Sequence, residues 1–109
     1  QEARALLLEL LQEDGGYYLP QTQKREEMYR CLGTVSEHQP TDNNIVAYII
    51  SALMNPEIML RPAPQSDPPE IAWQLTDKRN IFIKLVIREL RFGEECVYVK
   101  SFHRSIHGN

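Results

Sequence analysis

The sequence predicts an α+β domain, with helices in its first half and a small antiparallel sheet in its last third. Two observations carry this prediction. Apolar residues recur every three or four positions as far as Leu53, and they alternate with polar residues from Ile71 onward. The first period is that of a helix and the second that of a strand. The 109 residues, 42% hydrophobic and 25% charged, are typical of one globular domain with its own core.

Two helices are predicted near the start of the chain. The first covers residues 2–13 and carries four leucines on one face. It ends at Asp14-Gly15-Gly16, because glycine is favoured just past a helix end. The second covers residues 22–32 and is closed by Gly33. Between them, the apolar residues before Pro20 are predicted to form a short link.

A third helix has the clearest pattern. Either Thr41 or Asp42 can cap it, since a short side-chain oxygen accepts from the free backbone N–H groups of the first turn. Asn55-Pro56 ends it. Its apolar residues recur at helical spacing and are predicted to face the core: Ile45, Val46, Ile49, Ile50 and Leu53.

The sheet follows a proline-rich segment. Residues 61–69 hold four of the seven prolines, and because proline has a fixed φ and no backbone donor they predict an extended, exposed connection. Short turns join the three strands that come next, so the strands are predicted to pair as an antiparallel meander. The predicted strands cover residues 71–75, 81–90 and 96–103.

We expect residues 1–109 to form a single domain cut from a longer chain, because the sequence has neither an initiator Met nor a signal-peptide pattern. Its helical part would be residues 1–57, its connection residues 61–69 and its sheet residues 70–103. No apolar run approaches the roughly 18 residues of a membrane span, so no membrane partner is predicted. Cys31 and Cys96 are expected to be reduced thiols.

The net charge of −3 disfavours a general nucleic-acid binder, although a local basic patch can exist on an acidic protein. The predicted third strand suggests where such a patch would lie. Alternation places Val97, Val99, Ser101 and His103 on one side, so this side would begin as core and end polar. Such a change is typical of a sheet that leaves the core and lines a cleft. The alternative is a frayed strand end in solvent.

The residue types needed for RNA cleavage are present. Histidine suits proton transfer near neutral pH, which makes His38 and His103 candidates for the acid and the base, with Ser101 assisting. Cations can stabilise the charge that grows on the phosphate. The candidates for that role are Arg61, Lys84 and Lys100.

No cofactor or metal is predicted. His103 and His107 are four residues apart, which would suit a metal on a helix, but here they straddle a strand end and the tail. The sequence contains no glycine-rich phosphate loop and no G-x-S-x-G turn. Trp73 and Tyr98 could stack on bases, but core packing is the favoured interpretation of both.

Part of the chain resembles a known superfamily. The run from Ile49 to Ile58 resembles the signature "helix, then Asn-Pro-acidic-aliphatic" of phage- and toxin-associated nuclease domains. These belong to the barnase/EndoU/colicin/RelE-like superfamily. Its closing strand often ends in a hydroxyl residue, one intervening residue and an aromatic Tyr or His, and Ser101-Phe102-His103 has this form. The resemblance covers roughly residues 34–104.

The resemblance implies a metal-independent ribonuclease, often one that cleaves tRNA, acting as a toxin or effector in the cytoplasm. It also implies an immunity or antitoxin protein as partner. Ser101 and His103 match the closing-strand pair, His38 a basic residue ahead of the main helix, and Arg61 and Lys84 the phosphate-binding cations. The chain departs from the pattern in its acidic charge, in the lack of an Arg near His38, and in ending on His rather than Tyr.

Two functions remain open at this stage. The first is the ribonuclease; the second is a non-catalytic interaction or regulatory module of the same fold. The positions of three side chains distinguish these two functions. Convergence of His38, Lys84 and His103 on one concave surface would favour the enzyme, and their separation would favour the module. The compartment of the parent chain stays undetermined.

Overall fold

A five-stranded mixed sheet carries three helices on one face in the computed structural model, which describes residues 2–105 apart from the Arg91 side chain. The strand order is β1-β5-β4-β3-β2. The helices are α1 (Glu2–Gln12), α2 (Gln23–Val35) and α3 (Asp42–Met54). The strands are β1 (Tyr17–Tyr18), β2 (Arg61–Pro62), β3 (Ile71–Thr76), β4 (Ile81–Glu89) and β5 (Glu95–Arg104).

The α+β class and the antiparallel pairing of β3, β4 and β5 are confirmed. The two short edge strands were not predicted. β1 pairs in parallel with β5, and β2 pairs antiparallel with β3, so the sheet is mixed. Each edge strand has only two residues, which is too short for an alternating pattern to appear in the sequence.

A single core cluster joins the three helices to one face of the sheet. Alternate residues of β4 point into it and are buried, as their spacing predicts: Ile81, Ile83, Leu85 and Ile87. From α3, Ile49 is fully buried, and the Tyr48 ring meets the edge of the Phe102 ring at 5.5 Å between centroids. None of the helices within residues 2–105 is long and apolar enough to cross a membrane.

The helix ends agree with the sequence except at α2. Thr41 caps α3, its Oγ1 accepting from the Asn44 N–H at 3.1 Å. The prediction that Gly33 closes α2 was wrong, because the helix continues to Val35. The Val35 side chain packs against the core, and this tertiary contact outweighs the low helix propensity of glycine.

A β-bulge corrects the predicted faces of β5. Lys84 pairs with Ser101, but Leu85 pairs with Val99, so one extra residue on β5 interrupts the alternation. Phe102 therefore takes the buried side after Val99, with 1% of its surface exposed. The prediction that Ser101 and His103 share a side with Val97 and Val99 was wrong. Both lie on the face turned away from the helices.

The proline-rich segment is a strand only at Arg61–Pro62 and bends at Asp67-Pro68, and it is not fully exposed as predicted. Ala63 is buried and packs with Ala72 and Val86 on the face of the sheet opposite the helices. Its backbone N–H donates to the Ala72 carbonyl at 2.9 Å. Part of that face is thus covered by the chain itself.

Replacing Ile49 with Asp should lower the free energy of unfolding by roughly 3–5 kcal/mol, because the carboxylate would be buried without a partner. Chemical denaturation of both proteins measures this difference. Ala47→Asp is the matched control, since Ala47 lies on the exposed side of the same helix. It should cost only about 0.7 kcal/mol, from helix propensity. Equal losses in the two variants would show that Ile49 is not in the core.

Candidate functional site: the open face of the sheet

The face of the sheet turned away from the helices, here called the open face, has two halves. One half lies under the proline-rich segment, where Ala63 packs on Ala72 and Val86. The other half is uncovered and carries mostly polar side chains. We call it the uncovered half; its residues are Arg61, Gln74, Thr76, Phe82, Lys84, Ser101 and His103.

A row of polar residues crosses four strands in the uncovered half. Arg61 pairs with Gln74, Gln74 with Lys84, and Lys84 with Ser101. Directly paired residues have their side chains on the same side of a sheet, about 4.5–5.5 Å apart at Cβ. The register thus brings Arg61, Lys84 and Ser101 into one line, although they are far apart in sequence.

His103 lies beside this row. It pairs with Phe82, and the two rings are tilted with their centroids 5.4 Å apart. His103 Nδ1 lies 3.0 Å from the Arg104 carbonyl oxygen, which can only accept a hydrogen bond. The Nδ1–H therefore donates to it, and in the neutral ring Nε2 is left as a proton acceptor. The His103 side chain is exposed.

A recess of about 220 Å³ opens next to the row, on the β2 side. Arg61, Gln74 and Phe82 line it together with Thr76. The Arg61 Nε–H donates to the Met59 sulfur at 3.2 Å, so the guanidinium is held at the edge of the recess. Sequence reasoning missed Gln74 and Thr76. Their only signal is that they alternate with the inward-facing Trp73 and Leu75.

The cations of the open face differ in whether a carboxylate neutralises them. Within residues 2–105, the Lys84 ammonium has neither an ion-pair nor a hydrogen-bond partner, and Arg61 is paired with no carboxylate. Lys100 is different, because its Nζ donates to Glu70 Oε1 at 2.8 Å. Lys84 and Arg61 are the cations left free to bind an anion, whereas Lys100 is already occupied.

Glu70 gathers the polar groups of the covered half. Besides Lys100 it accepts from Arg88 at 3.4 Å and from the Ser66 hydroxyl at 3.3 Å. Hydrogen bonding from Lys100, with smaller contributions from Arg88 and Ser66, lowers the pKa of the Glu70 carboxyl below its ordinary value of 4.5. This network fixes the end of the proline-rich segment to the sheet.

Tyr98 is also engaged in the covered half. Its ring stacks on Tyr18 at 4.8 Å between centroids, and the Arg88 guanidinium lies 4.3 Å from its centre. The Arg88 guanidinium also donates to the Tyr18 hydroxyl at 2.9 Å, so the Tyr98 ring belongs to a cluster of side chains within the protein. Trp73 packs against the core. Packing within the protein, rather than stacking on a base, is therefore the better interpretation of Tyr98 and Trp73.

His38 does not reach the open face. It is exposed in the loop between α2 and α3, where its backbone N–H donates to Ser36 Oγ at 3.1 Å. It lines a cavity of about 520 Å³ on the helical side of the sheet, together with Tyr48 of α3 and Asp77 of the β3–β4 turn. His38 and His103 are thus on different sides of the sheet. Their pairing as acid and base does not fit this placement, whereas Lys84 and His103 do share a surface.

No protein-family model, curated protein or solved structure matches the chain. Among residues 2–105, no group of three or more His, Cys, Asp and Glu side chains is arranged to hold a metal ion. His107, the second histidine considered as a ligand, lies outside the described residues.

The low pKa of Glu70 predicts a pH-dependent contribution to stability. A carboxyl whose pKa is depressed by folding stabilises the protein above its unfolded pKa, and this contribution is lost as the pH falls through the folded pKa. The stability difference between wild type and Glu70→Gln should therefore shrink as the pH falls below about 4.5. Thermal melts across this pH range measure it.

Lys100→Met is the matched variant, because Lys100 is the largest cause of the shift. It should remove most of the same pH dependence while keeping the Glu70 carboxyl. A gap between wild type and Glu70→Gln that stays constant from neutral pH to acid would contradict the ion pair.

Proposed function

We propose that this domain is a metal-independent ribonuclease that binds and cleaves RNA on the uncovered half of the open face. The observation that carries the proposal is the shared surface of Lys84, Ser101 and His103, extended by Arg61 along the same row. None of the seven residues of the uncovered half is an aspartate or a glutamate. A surface of this kind suits a phosphodiester, since its cations would be neutralised by the substrate rather than by the protein.

Cleavage requires three things of the site. The 2′-hydroxyl must lose a proton as it attacks phosphorus, the departing 5′-oxygen must gain one, and the extra charge on the phosphate oxygens must be stabilised. His103 suits the first role, because its Nδ1–H is held by the Arg104 carbonyl and Nε2 can accept a proton. The product would carry a 2′,3′-cyclic phosphate.

Lys84 suits the other two roles. On adjacent antiparallel strands, Lys84 and His103 are diagonal neighbours, since Lys84 pairs with Ser101 and His103 is two residues further on. Diagonal neighbours are roughly 7–8 Å apart, which leaves room for one phosphate between the two side chains. The unpaired ammonium could stabilise the phosphate charge and donate to the departing oxygen. His38 has no role in this proposal.

An exposed aromatic residue at the opposite end of the sheet favours a second candidate, the non-catalytic interaction module. Phe92, in the turn between β4 and β5, is 97% exposed and has a φ of 66°. Such a conformation costs a residue other than glycine about 1 kcal/mol or more. Exposed aromatic side chains are frequent anchors of protein interfaces. In this case another protein would be the ligand, and the cations of the open face would have no catalytic role.

Wild-type protein incubated with total tRNA and a chelator should produce fragments that end in cyclic phosphate. His103→Ala should cut more slowly by about 10²–10⁴-fold, the usual loss when an acid/base group is removed. His38→Ala is the matched control and should cleave like wild type. Gel electrophoresis and end-group analysis measure both.

Intact tRNA at high wild-type concentration would favour the interaction module. Equal cleavage by wild type, His103→Ala and His38→Ala would indicate a contaminating nuclease or a site that does not include His103.

Lys84→Ala should reduce the cleavage rate by about 10²-fold through lost charge stabilisation. Lys24→Ala, which removes an exposed lysine from α2, should leave the rate unchanged. Lys100→Ala should have a smaller effect than Lys84→Ala, since Lys100 is bound to Glu70. Single-turnover rates on one short RNA measure all three. Equal losses in the Lys24 and Lys84 variants would mean that only total charge matters.

A further inference from the structure

Two arginines meet where the sheet ends beside α2. Arg79 lies in the turn between β3 and β4, and Arg104 is the last residue of β5. Both side chains are exposed, and Arg104 Nη1 donates to the Arg79 carbonyl at 3.5 Å. Arg104 directly follows His103 in β5, but it pairs with the core-facing Ile81, so its side chain lies on the helical side while His103 lies on the open face. The two arginines are therefore around the end of the sheet from the uncovered half.

The partners of both guanidiniums are neutral. Arg79 Nη1 donates to the Val35 carbonyl at 3.1 Å, and Arg104 Nη2 donates to Thr34 Oγ1 at 3.1 Å. The two arginines line a recess of about 530 Å³ beside the end of α2. Glu37 lines this recess too, but it forms an ion pair with neither arginine. Within residues 2–105, two adjacent positive charges are therefore left without a carboxylate.

Holding the C-terminal end of α2 explains only part of this arrangement. The last carbonyls of a helix do attract cations, which accounts for the contacts with Thr34 and Val35. A guanidinium has five N–H donors, however, and each arginine uses only one or two of them here. The remaining donors are exposed and available to an anionic ligand, and the planar fork of arginine matches phosphate oxygens.

We infer that Arg79 and Arg104 form a second phosphate-binding site, which holds the RNA backbone where it leaves the uncovered half around the end of the sheet. The choice of RNA rests on the proposed function, because Arg104 is the chain neighbour of His103 at the end of β5. The same cations could bind an acidic protein, and the experiment separates the two.

The test measures binding to a labelled 2′-O-methyl oligouridylate, which lacks the attacking hydroxyl and cannot be cleaved. Fluorescence anisotropy gives Kd over a series of salt concentrations for wild type, Arg79→Ala, Arg104→Ala and Lys24→Ala. Each phosphate contact on a single strand contributes about 0.7 to the slope of log Kd against log salt. Removing Arg79 or Arg104 should lower the slope by that amount, equivalent to about fivefold weaker binding at ~0.1 M salt.

Lys24 is the charge control, an exposed lysine at the far end of α2 from the pair, and its removal should leave the slope unchanged. Because Arg79 and Arg104 also contact α2, their alanine variants could lose stability. Arg79→Lys and Arg104→Lys keep the charge and should largely retain the wild-type slope. Thermal melts of all variants identify those that remain folded.

Cleavage of the dinucleotide UpU distinguishes this site from the proposed function, since a substrate with one phosphate needs only the uncovered half. Slope losses without UpU cleavage would support the arginine site and sink the ribonuclease. UpU cleavage with unchanged slopes would overturn the site alone. Absence of oligonucleotide binding, or an equal slope loss in Lys24→Ala, would also overturn it. Polyglutamate binding as tightly as the oligonucleotide would assign the surface to an acidic protein instead.

Discussion

The β-bulge on β5 is the constraint on which the candidate site depends. Without it, strict alternation after Val99 would direct Ser101 into the core and leave Phe102 in solvent. The extra residue opposite the junction of Lys84 and Leu85 reverses this, so Phe102 completes the core against Tyr48 while Ser101 turns outward beside Lys84. Bulges are frequent where a sheet re-aims a side chain. Here one irregularity contributes both to packing and to the polar surface.

The distribution of carboxylates divides the open face. Glu70, at the end of the proline-rich segment, binds Lys100 and approaches Arg88, so the covered half neutralises its own cations. Glu70 forms no ion pair with Lys84 or Arg61. An acidic chain with a net charge of −3 can therefore still present a local positive surface, because its carboxylates are not spread evenly over it. Net charge alone therefore does not describe the charge of this face.

What the sequence could predict follows from the length over which a pattern extends. The helix α3 and the meander are long enough for their periods to be read, and the Thr41 cap depends on one local side chain. The two-residue edge strands and the bulge are set by contacts between distant segments, which no local pattern records. The end of α2 was misplaced for the same reason, since Val35 is held by the core.

For the candidate site, the sequence identified Lys84, Ser101 and His103. It assigned Ser101 and His103 to one face of the strand by a mistaken argument, however. The alternation that grouped Ser101 and His103 with the valines fails, while the bulge, which the sequence did not indicate, groups them with Lys84. His38 shows the opposite case. It was selected for its residue type alone, and no pairing register tied it to the sheet. Residue type is thus informative only when a register or contact fixes where the side chain lies.

The contact of His103 with the Arg104 carbonyl bears on how a face with one imidazole could work. When base and acid act in the same step, two groups are needed, and the sequence suggested His103 and His38. A carbonyl oxygen that accepts from Nδ1–H leaves Nε2 as the acceptor in the neutral ring, so neutral His103 could act as the base. The second proton must then come from a group that is normally protonated, and on this surface the unpaired Lys84 ammonium meets that need. A base and an acid of different residue types would therefore replace the histidine pair.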